Sequence, residues 1–249
     1  MKKILMPLPS NDFDPTESAV PWKILRAANH EITFATPKGV MATCDPRMLN
    51  GTDLGVLKKT LAADANARNA YLEMQDSDPF RNPLRWSDID PAKFDALVLP
   101  GGHAPGMREY LESSILQKYV THFFEKNKPV GAICHGVVLA ARSRTVDGKH
   151  SVLFGRKTTA LLATQEMLAW IMTCAWLGKY YRTYTQTVEA EVKSALQSPK
   201  YFSQGPLPLF RDDVTHLKRG FVVQDGNYLS ARWPGDAHLF AVRFSEMLK

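Results

Sequence analysis

Cys134 and His135 stand side by side, with Gly136 next. A thiol beside an imidazole is a pair that nucleophilic catalysis uses, the sulfur attacking as thiolate while the ring moves its proton. The flanking residues give the pair a shape. An apolar run, Val130 to Ile133, ends abruptly at Cys134, and an apolar, helix-prone stretch, Val137 to Arg142, follows. This reads as strand, corner, helix, the cysteine form of a nucleophile elbow that lifts a reactive side chain above a sheet. Gly131 and Gly136 remove side chains where such a corner crowds its neighbours. A helix starting just after Cys134 aims backbone N–H groups and its dipole at the sulfur, so the local sequence predicts a thiol more acidic than usual.

Two further places carry candidate chemistry. Glu17 sits in Asp14-Pro15-Thr16-Glu17, a helix-start pattern directly after the first predicted strand. It is either a first-turn acid complementing the helix dipole or a group at the sheet edge where open α/β sheets bind ligands. Gly101-Gly102-His103 follows another apolar run. Two glycines after a strand let backbone N–H groups face an oxyanion, and His103 either lines the site or serves as an ordinary loop histidine.

The elements that must position these residues follow from apolar runs and turn signals. Strands are predicted over Ile4 to Leu8, Ile32 to Ala35, Phe94 to Pro100, Val130 to Ile133 and Arg156 to Ala160. A late hairpin is predicted over Val222 to Ser230, turning at Asp225-Gly226-Asn227, and Asp147-Gly148 marks a further turn. Helices are expected from the Asp14 start to about Asn29, and over Leu54 to about Ala65 and Ser113 to Lys126. Others are expected around Glu166, over Thr187 to Leu196, and from Ala237 to about Leu248. The apolar stretch Leu161 to Leu177 is broken by Thr164, Gln165 and Glu166, so it reads as a buried helix and not a membrane span. Residues 43–93 exceed an ordinary connection and are an insertion or a cap, and the aromatic, basic segment 178–217 lines a pocket, packs a subunit contact or fills core.

Composition bounds the rest. The chain has 249 residues, 45% of them hydrophobic and 22% charged, which suits one large α/β domain over 1–249. The net charge of +6 is concentrated after residue 140 without a basic run, so a nucleic-acid track is not expected. Cys44, Cys134 and Cys174 are far apart with no CxxC spacing, which argues against a disulfide scaffold or structural zinc and fits a reducing compartment. The N-terminal apolar run is too short for a signal peptide, so a cytoplasmic protein without membrane association is expected. Cys44 and Cys174 are expected to pack as small apolar residues.

In order along the chain, Glu17 in Glu-Ser-Ala-Val-Pro-Trp, Leu99-Pro100-Gly101-Gly102-His103, Cys134-His135-Gly136, Asp225-Gly226-Asn227, Pro234 and Ala237-His238 resemble the DJ-1/ThiJ/PfpI superfamily and, within it, the Hsp31-like branch. The resemblance spans nearly the whole chain. It implies a flavodoxin-like three-layer α/β sandwich, with a mostly parallel central sheet, helices on both faces and the cysteine at the elbow. It implies Cys134 as nucleophile, His135 as its partner, Glu166 as the acid that orients the histidine, and Glu17 as a neutral carboxyl donating to the sulfur. Where the family carries Phe-Thr-Asp or Phe-Thr-Asn, this chain has Leu161-Leu162-Ala163. Gly101, Gly102 and the backbone at His135 are the expected oxyanion donors, with His103 beside them. The activity implied is a glutathione-independent glyoxalase, a lyase of the glyoxalase III type resembling D-lactate dehydratase. It acts on methylglyoxal or a similar small 2-oxoaldehyde, with no cofactor and no metal, and the protein is a homodimer. Two other readings stay open: a cysteine amidase or peptidase, since the superfamily shares its elbow with class I glutamine amidotransferases, and a stress chaperone or thiol redox sensor.

Overall fold

In a computed structural model that describes residues 1–249, the chain folds around a seven-stranded sheet. Strand β1 (Lys3–Pro7) leads into α1 (Pro15–Ala27) and then β2 (Glu31–Thr36). After α2 (Ala65–Gln75) come β3 (Leu84–Arg85), β4 (Ala96–Leu99) and α3 (Ser114–Glu125). Strand β5 (Val130–Ile133) runs into α4 (Gly136–Arg142). The chain continues through α5 (Ala163–Leu177), α6 (Val188–Ala195), β6 (Val222–Asp225), β7 (Tyr228–Ala231) and α7 (Ala237–Met247).

The strand order is β3-β2-β1-β4-β5-β7-β6, parallel throughout except where β6 returns antiparallel to β7 in the predicted hairpin. Central parallel strands are covered on both faces, which is why β4 and β5 are unbroken apolar runs with every residue buried. Helix α1 packs between α2 and α7 on one face, and α4 packs against α3 and α6 on the other. The turns after β1, β4, β5 and β7 therefore gather at one sheet edge, the edge at which open parallel sheets hold ligands.

Three expectations need correction. Residues 54–65 form no continuous helix, only a 3-10 turn (Gly55–Leu57) and one α turn (Lys58–Leu61), because Gly55 takes a φ of 52°. Residues 156–160 make a single bridge, Thr158 to Phe202, and no strand. Helix α5 is not buried: Leu168, Ile171 and Trp176 are exposed, and its fully buried side chains are Glu166 and Thr173. Cys44 is buried as expected, whereas Cys174 on α5 is only half-buried. The segments 43–93 and 178–217 meet, sharing an apolar cluster in which Met48, Leu54 and Ala62 contact Tyr180 and Tyr181. No helix is long and apolar enough to cross a membrane.

Candidate active site

Cys134 occupies the corner between β5 and α4 with a φ of 57°. That left-handed backbone is strained for a non-glycine residue, and here its neighbours hold it. The Cys134 N–H donates to the Ala231 carbonyl at 3.1 Å, extending the β5–β7 pairing by one residue. On the far side, a Cβ on Gly136 would lie 2.1 Å from the Leu99 carbonyl oxygen, so only glycine lets α4 start against the end of β4. The sulfur lies 3.4 Å from His135 Nδ1, and the nearby His135 backbone N–H favours the thiolate.

Glu17 reaches the same point from α1. Asp14 caps that helix, its Oδ1 accepting the N–H groups of Thr16 at 2.8 Å and Glu17 at 3.0 Å. The Glu17 side chain is fully buried, and its Oε2 accepts the Gly101 N–H at 3.0 Å. Its Oε1 has no hydrogen-bond partner, and the Cys134 thiol is the neighbouring side chain that favours its charged form. Burial first, and the Asp14 carboxylate second, push Glu17 well above the ordinary carboxyl range, which keeps it protonated. The expected oxyanion role of Gly101 is thereby corrected, because its N–H already serves Glu17. Gly102, whose N–H meets no backbone carbonyl, lines the cavity above the sulfur together with His103.

The partner of His135 is also not the one expected. His135 is fully buried, and its Nε2 lies 3.1 Å from Thr183 Oγ1. The same hydroxyl donates to the His103 carbonyl at 2.5 Å, and having spent its one proton it accepts from His135 Nε2–H. The ring's other nitrogen, Nδ1, is then the unprotonated one and faces the sulfur. Arg108 grips the Thr183 carbonyl from Nε at 3.1 Å and Nη2 at 2.5 Å. Glu166 is elsewhere: its carboxylate accepts the Val188 N–H at 2.9 Å and pairs with Arg182 at 3.3 Å, tying α5 to the start of α6. Its carboxylate makes no bond to His135, so its assignment as the orienting acid is corrected. Burial, then His103 and Arg142, hold His135 down at about 3, and burial holds His103, stacked on Tyr181, at about 4.

The expected acidic thiol is corrected as well. Burial above all, followed by the neighbouring Glu17 and Asp14 acids, pushes Cys134 well above its ordinary value, against the lowering from the His135 N–H. The resting site is therefore uncharged at the sulfur, the imidazole and the Glu17 carboxyl.

Above these groups lies a cavity of about 460 Å³. Met48, Leu161, Leu168, Met172, Leu209 and Phe210 supply much of its apolar wall. Asp14, Arg211 and Trp233 line it too, and none of the three was singled out from the sequence. Asp14 carried a signal, the cap pattern before Pro15, whereas Thr183 and Arg211 sit in irregular backbone with no period to betray them. No three His, Cys, Asp or Glu side chains converge as a metal site requires.

The chain is similar to proteins of one family. The family described as ThiJ/PfpI family-like matches residues 8–206. Deglycase PfpI of Pyrococcus furiosus is 24% identical over 248 residues, 99% of each chain. Glyoxalase 3 of Candida albicans is 26% identical over 148 residues, 57% of each chain. The crystal structure of glyoxalase III from Candida albicans superposes with a TM-score of 0.70 at 18% identity, covering 99% of this chain and 97% of that one. Drosophila melanogaster DJ-1beta superposes at 0.59 with 18% identity, over 99% of this chain and 90% of its own. A sheet of this order, the cysteine at its edge and a family match over most of the chain lead to one conclusion: the protein belongs to the DJ-1/ThiJ/PfpI superfamily.

Proposed function

We propose that the protein is a cysteine enzyme that converts a 2-oxoaldehyde to a 2-hydroxy acid without glutathione. The observation that carries this reading is the Cys134 sulfur set between His135 Nδ1, at 3.4 Å, and the protonated Glu17 at the foot of the cavity. Relatives named deglycase and glyoxalase 3 support a carbonyl substrate.

The chemistry balances on these groups. Sulfur adds to the aldehyde carbon while its proton passes through His135 Nδ1 to the carbonyl oxygen, giving a hemithioacetal with no lasting ion pair in the buried site. A buried imidazole held at about 3 is a weak base, well suited to relay a proton and poorly suited to keep one. Glu17 gives its carboxyl proton to solvent through the open cavity and regains one when product leaves; in between, as a carboxylate that burial makes a stronger base than the imidazole, it takes the proton from the former aldehyde carbon. That proton returns to the adjacent carbon as the hydroxyl proton moves between the two oxygens through an enediol. Water cleaves the resulting thioester, releasing the acid and restoring the thiol, so the net change is addition of one water. The Gly102 N–H, which has no backbone partner, is the proposed donor to the developing oxyanion.

The test is methylglyoxal consumption without glutathione in wild type, Cys134→Ala and Glu17→Gln. Loss of turnover in the alanine variant, with an unchanged fold, is expected; full activity there sinks the proposal. Membership of the Hsp31-like branch and a homodimeric state belong to the same proposal, the latter checked by sedimentation.

A second reading has its own observation. Leu168, Ile171, Trp176, Leu207, Leu209 and Phe210 are exposed, an apolar surface of the kind a holdase presents. Suppression of client aggregation that survives Cys134→Ala would favour it.

A further inference from the structure

Residues 183–186 make no backbone–backbone hydrogen bond, although Thr183 carries the hydroxyl that receives His135 Nε2–H. A segment without ladder bonds takes its position from the side chains that grip it. The Thr183 carbonyl accepts Arg108 Nε at 3.1 Å and Arg108 Nη2 at 2.5 Å, a fork of charge-assisted bonds. Every hydrogen bond of the Arg108 guanidinium goes to this one carbonyl, and no carboxylate pairs with it. Arg108 belongs to the short helix Met107–Leu111, which follows the turn after β4. That same turn supplies the His103 carbonyl to which Thr183 Oγ1 donates. The turn and its helix therefore hold Thr183 at both its carbonyl and its hydroxyl.

The next residue strengthens the grip. The Tyr184 ring faces two guanidinium carbons, Arg108 at 5.0 Å and Arg142 at 4.3 Å from its centre. Its hydroxyl accepts Arg142 Nη1 at 2.9 Å and donates to Glu112 Oε1 at 2.8 Å. Arg142 is itself fixed by a bidentate pair with Glu191, at 2.6 and 3.1 Å. It closes α4, the helix that starts directly after His135. A circuit of contacts thus runs from His135 along α4 to Arg142, across to Tyr184, and back through Thr183 to the ring. Arg108 is the member that touches Thr183 and Tyr184 together, and it does so from an exposed position where substitution ordinarily changes stability little.

We propose that Arg108 is a positioning residue for His135: by holding the Thr183 carbonyl it places Thr183 Oγ1 as the acceptor of Nε2–H, which keeps an unprotonated Nδ1 toward the Cys134 sulfur. The proposal rests on the reading of Cys134 and His135 as the reacting pair. Without the guanidinium fork, the Thr183 backbone is free to shift and its hydroxyl to turn and donate to Nε2. That arrangement selects the other tautomer, with the ring proton on Nδ1. A protonated Nδ1 cannot take the thiol proton, so the loss falls on the chemical step and not on substrate binding.

Heteronuclear NMR of protein labelled in its histidine ring nitrogens reads the tautomer directly, with the His135 signals assigned by their loss in His135→Gln. Wild type is expected to show the Nε2–H form alone, and Arg108→Met the Nδ1–H form beside it. Arg108→Lys, which keeps a charged donor to the carbonyl, should restore part of the wild-type pattern. In parallel, kcat for methylglyoxal should fall about tenfold or more in Arg108→Met, the cost of a misplaced reacting group, with KM changed less than about twofold. An unchanged tautomer in Arg108→Met overturns the proposal, as does an unchanged kcat where wild type turns over. A fall in kcat that follows lost folded protein in urea denaturation, with the tautomer as it was, marks a merely structural arginine and overturns it too. A tautomer shift in a protein that consumes no methylglyoxal even as wild type upholds Arg108 as the residue that sets His135 and removes the glyoxalase reading. Wild-type turnover, matched by Arg108→Met in both kcat and tautomer, does the reverse.

Discussion

Thr183 Oγ1 lies 3.1 Å from His135 Nε2, at the end of the ring away from Cys134, and gives its own proton to the His103 carbonyl. A neutral hydroxyl thus does the orienting that a carboxylate does in a charged triad, and it sets the tautomer without stabilising an imidazolium. Thr183→Val removes the acceptor while keeping the shape. It is expected to lower kcat about ten- to a hundredfold, since misplacing a reacting group costs on that order. Thr183→Ser should restore most of the rate, and Glu166→Gln should lower it far less than Thr183→Val. Equal losses in Thr183→Val and Glu166→Gln would return the orienting role to the acid.

The thiol of Cys134 should titrate late. Burial and the two neighbouring acids hold it above the ordinary 9.0. Alkylation by iodoacetamide, measured in a Cys174→Ser background, is expected to keep rising with pH up to 9. Cys44 adds no background, being buried and pushed up to about 12. A plateau below pH 8 would mean that the helix start and the Glu17 proton overcome burial.

Asp14 gives stability a pH dependence of known sign. Burial raises it from the ordinary 3.8 to about 6, so the folded protein holds this proton where the unfolded chain has released it. The stabilisation is complete below pH 3.8 and is lost as pH rises toward and past 6. Its size is about 3 kcal/mol, at 1.36 kcal/mol per unit. Asp14→Asn keeps the cap and removes the titration, so its unfolding free energy should fall less than that of wild type between pH 4 and 6. Parallel urea-denaturation profiles for the two proteins across that range would contradict this.

Arg232 and Asp236 form a fully buried ion pair at 2.9 Å, and Arg232 Nη1 also holds the carbonyls of Gln204 and Pro206. The pair ties the segment before Arg211 to the turn after β7. Arg232→Leu strands a buried carboxylate and should cost about 3–5 kcal/mol in urea denaturation. The double substitution with Asp236→Leu should recover much of that loss, and failure to recover it would show that the carbonyl contacts dominate.

What the sequence determined by itself is local. Val130 to Ile133, the Cys134-His135-Gly136 corner and the apolar stretch after it form strand, turn and helix because apolar continuity and glycine placement act over a few residues. The same holds for β4 and its Gly101-Gly102-His103 turn, and for the Asp14 cap that places Glu17. Tertiary structure decided what depends on distance. Thr183 reaches His135 across 48 residues of sequence through backbone without a period, and no spacing rule points to it. Glu166 falls within α5 as expected, yet its carboxylate bonds Arg182 and the Val188 N–H, because α6 rather than the elbow packs beside it. An apolar helix was legible at α5, but composition cannot say that no neighbour covers Leu168, Ile171 and Trp176. The helix start predicts an acidic thiol from short-range dipoles. The folded chain instead surrounds Cys134 with protein and two acids, and desolvation, which exists only once the chain has closed around the sulfur, outweighs the local field.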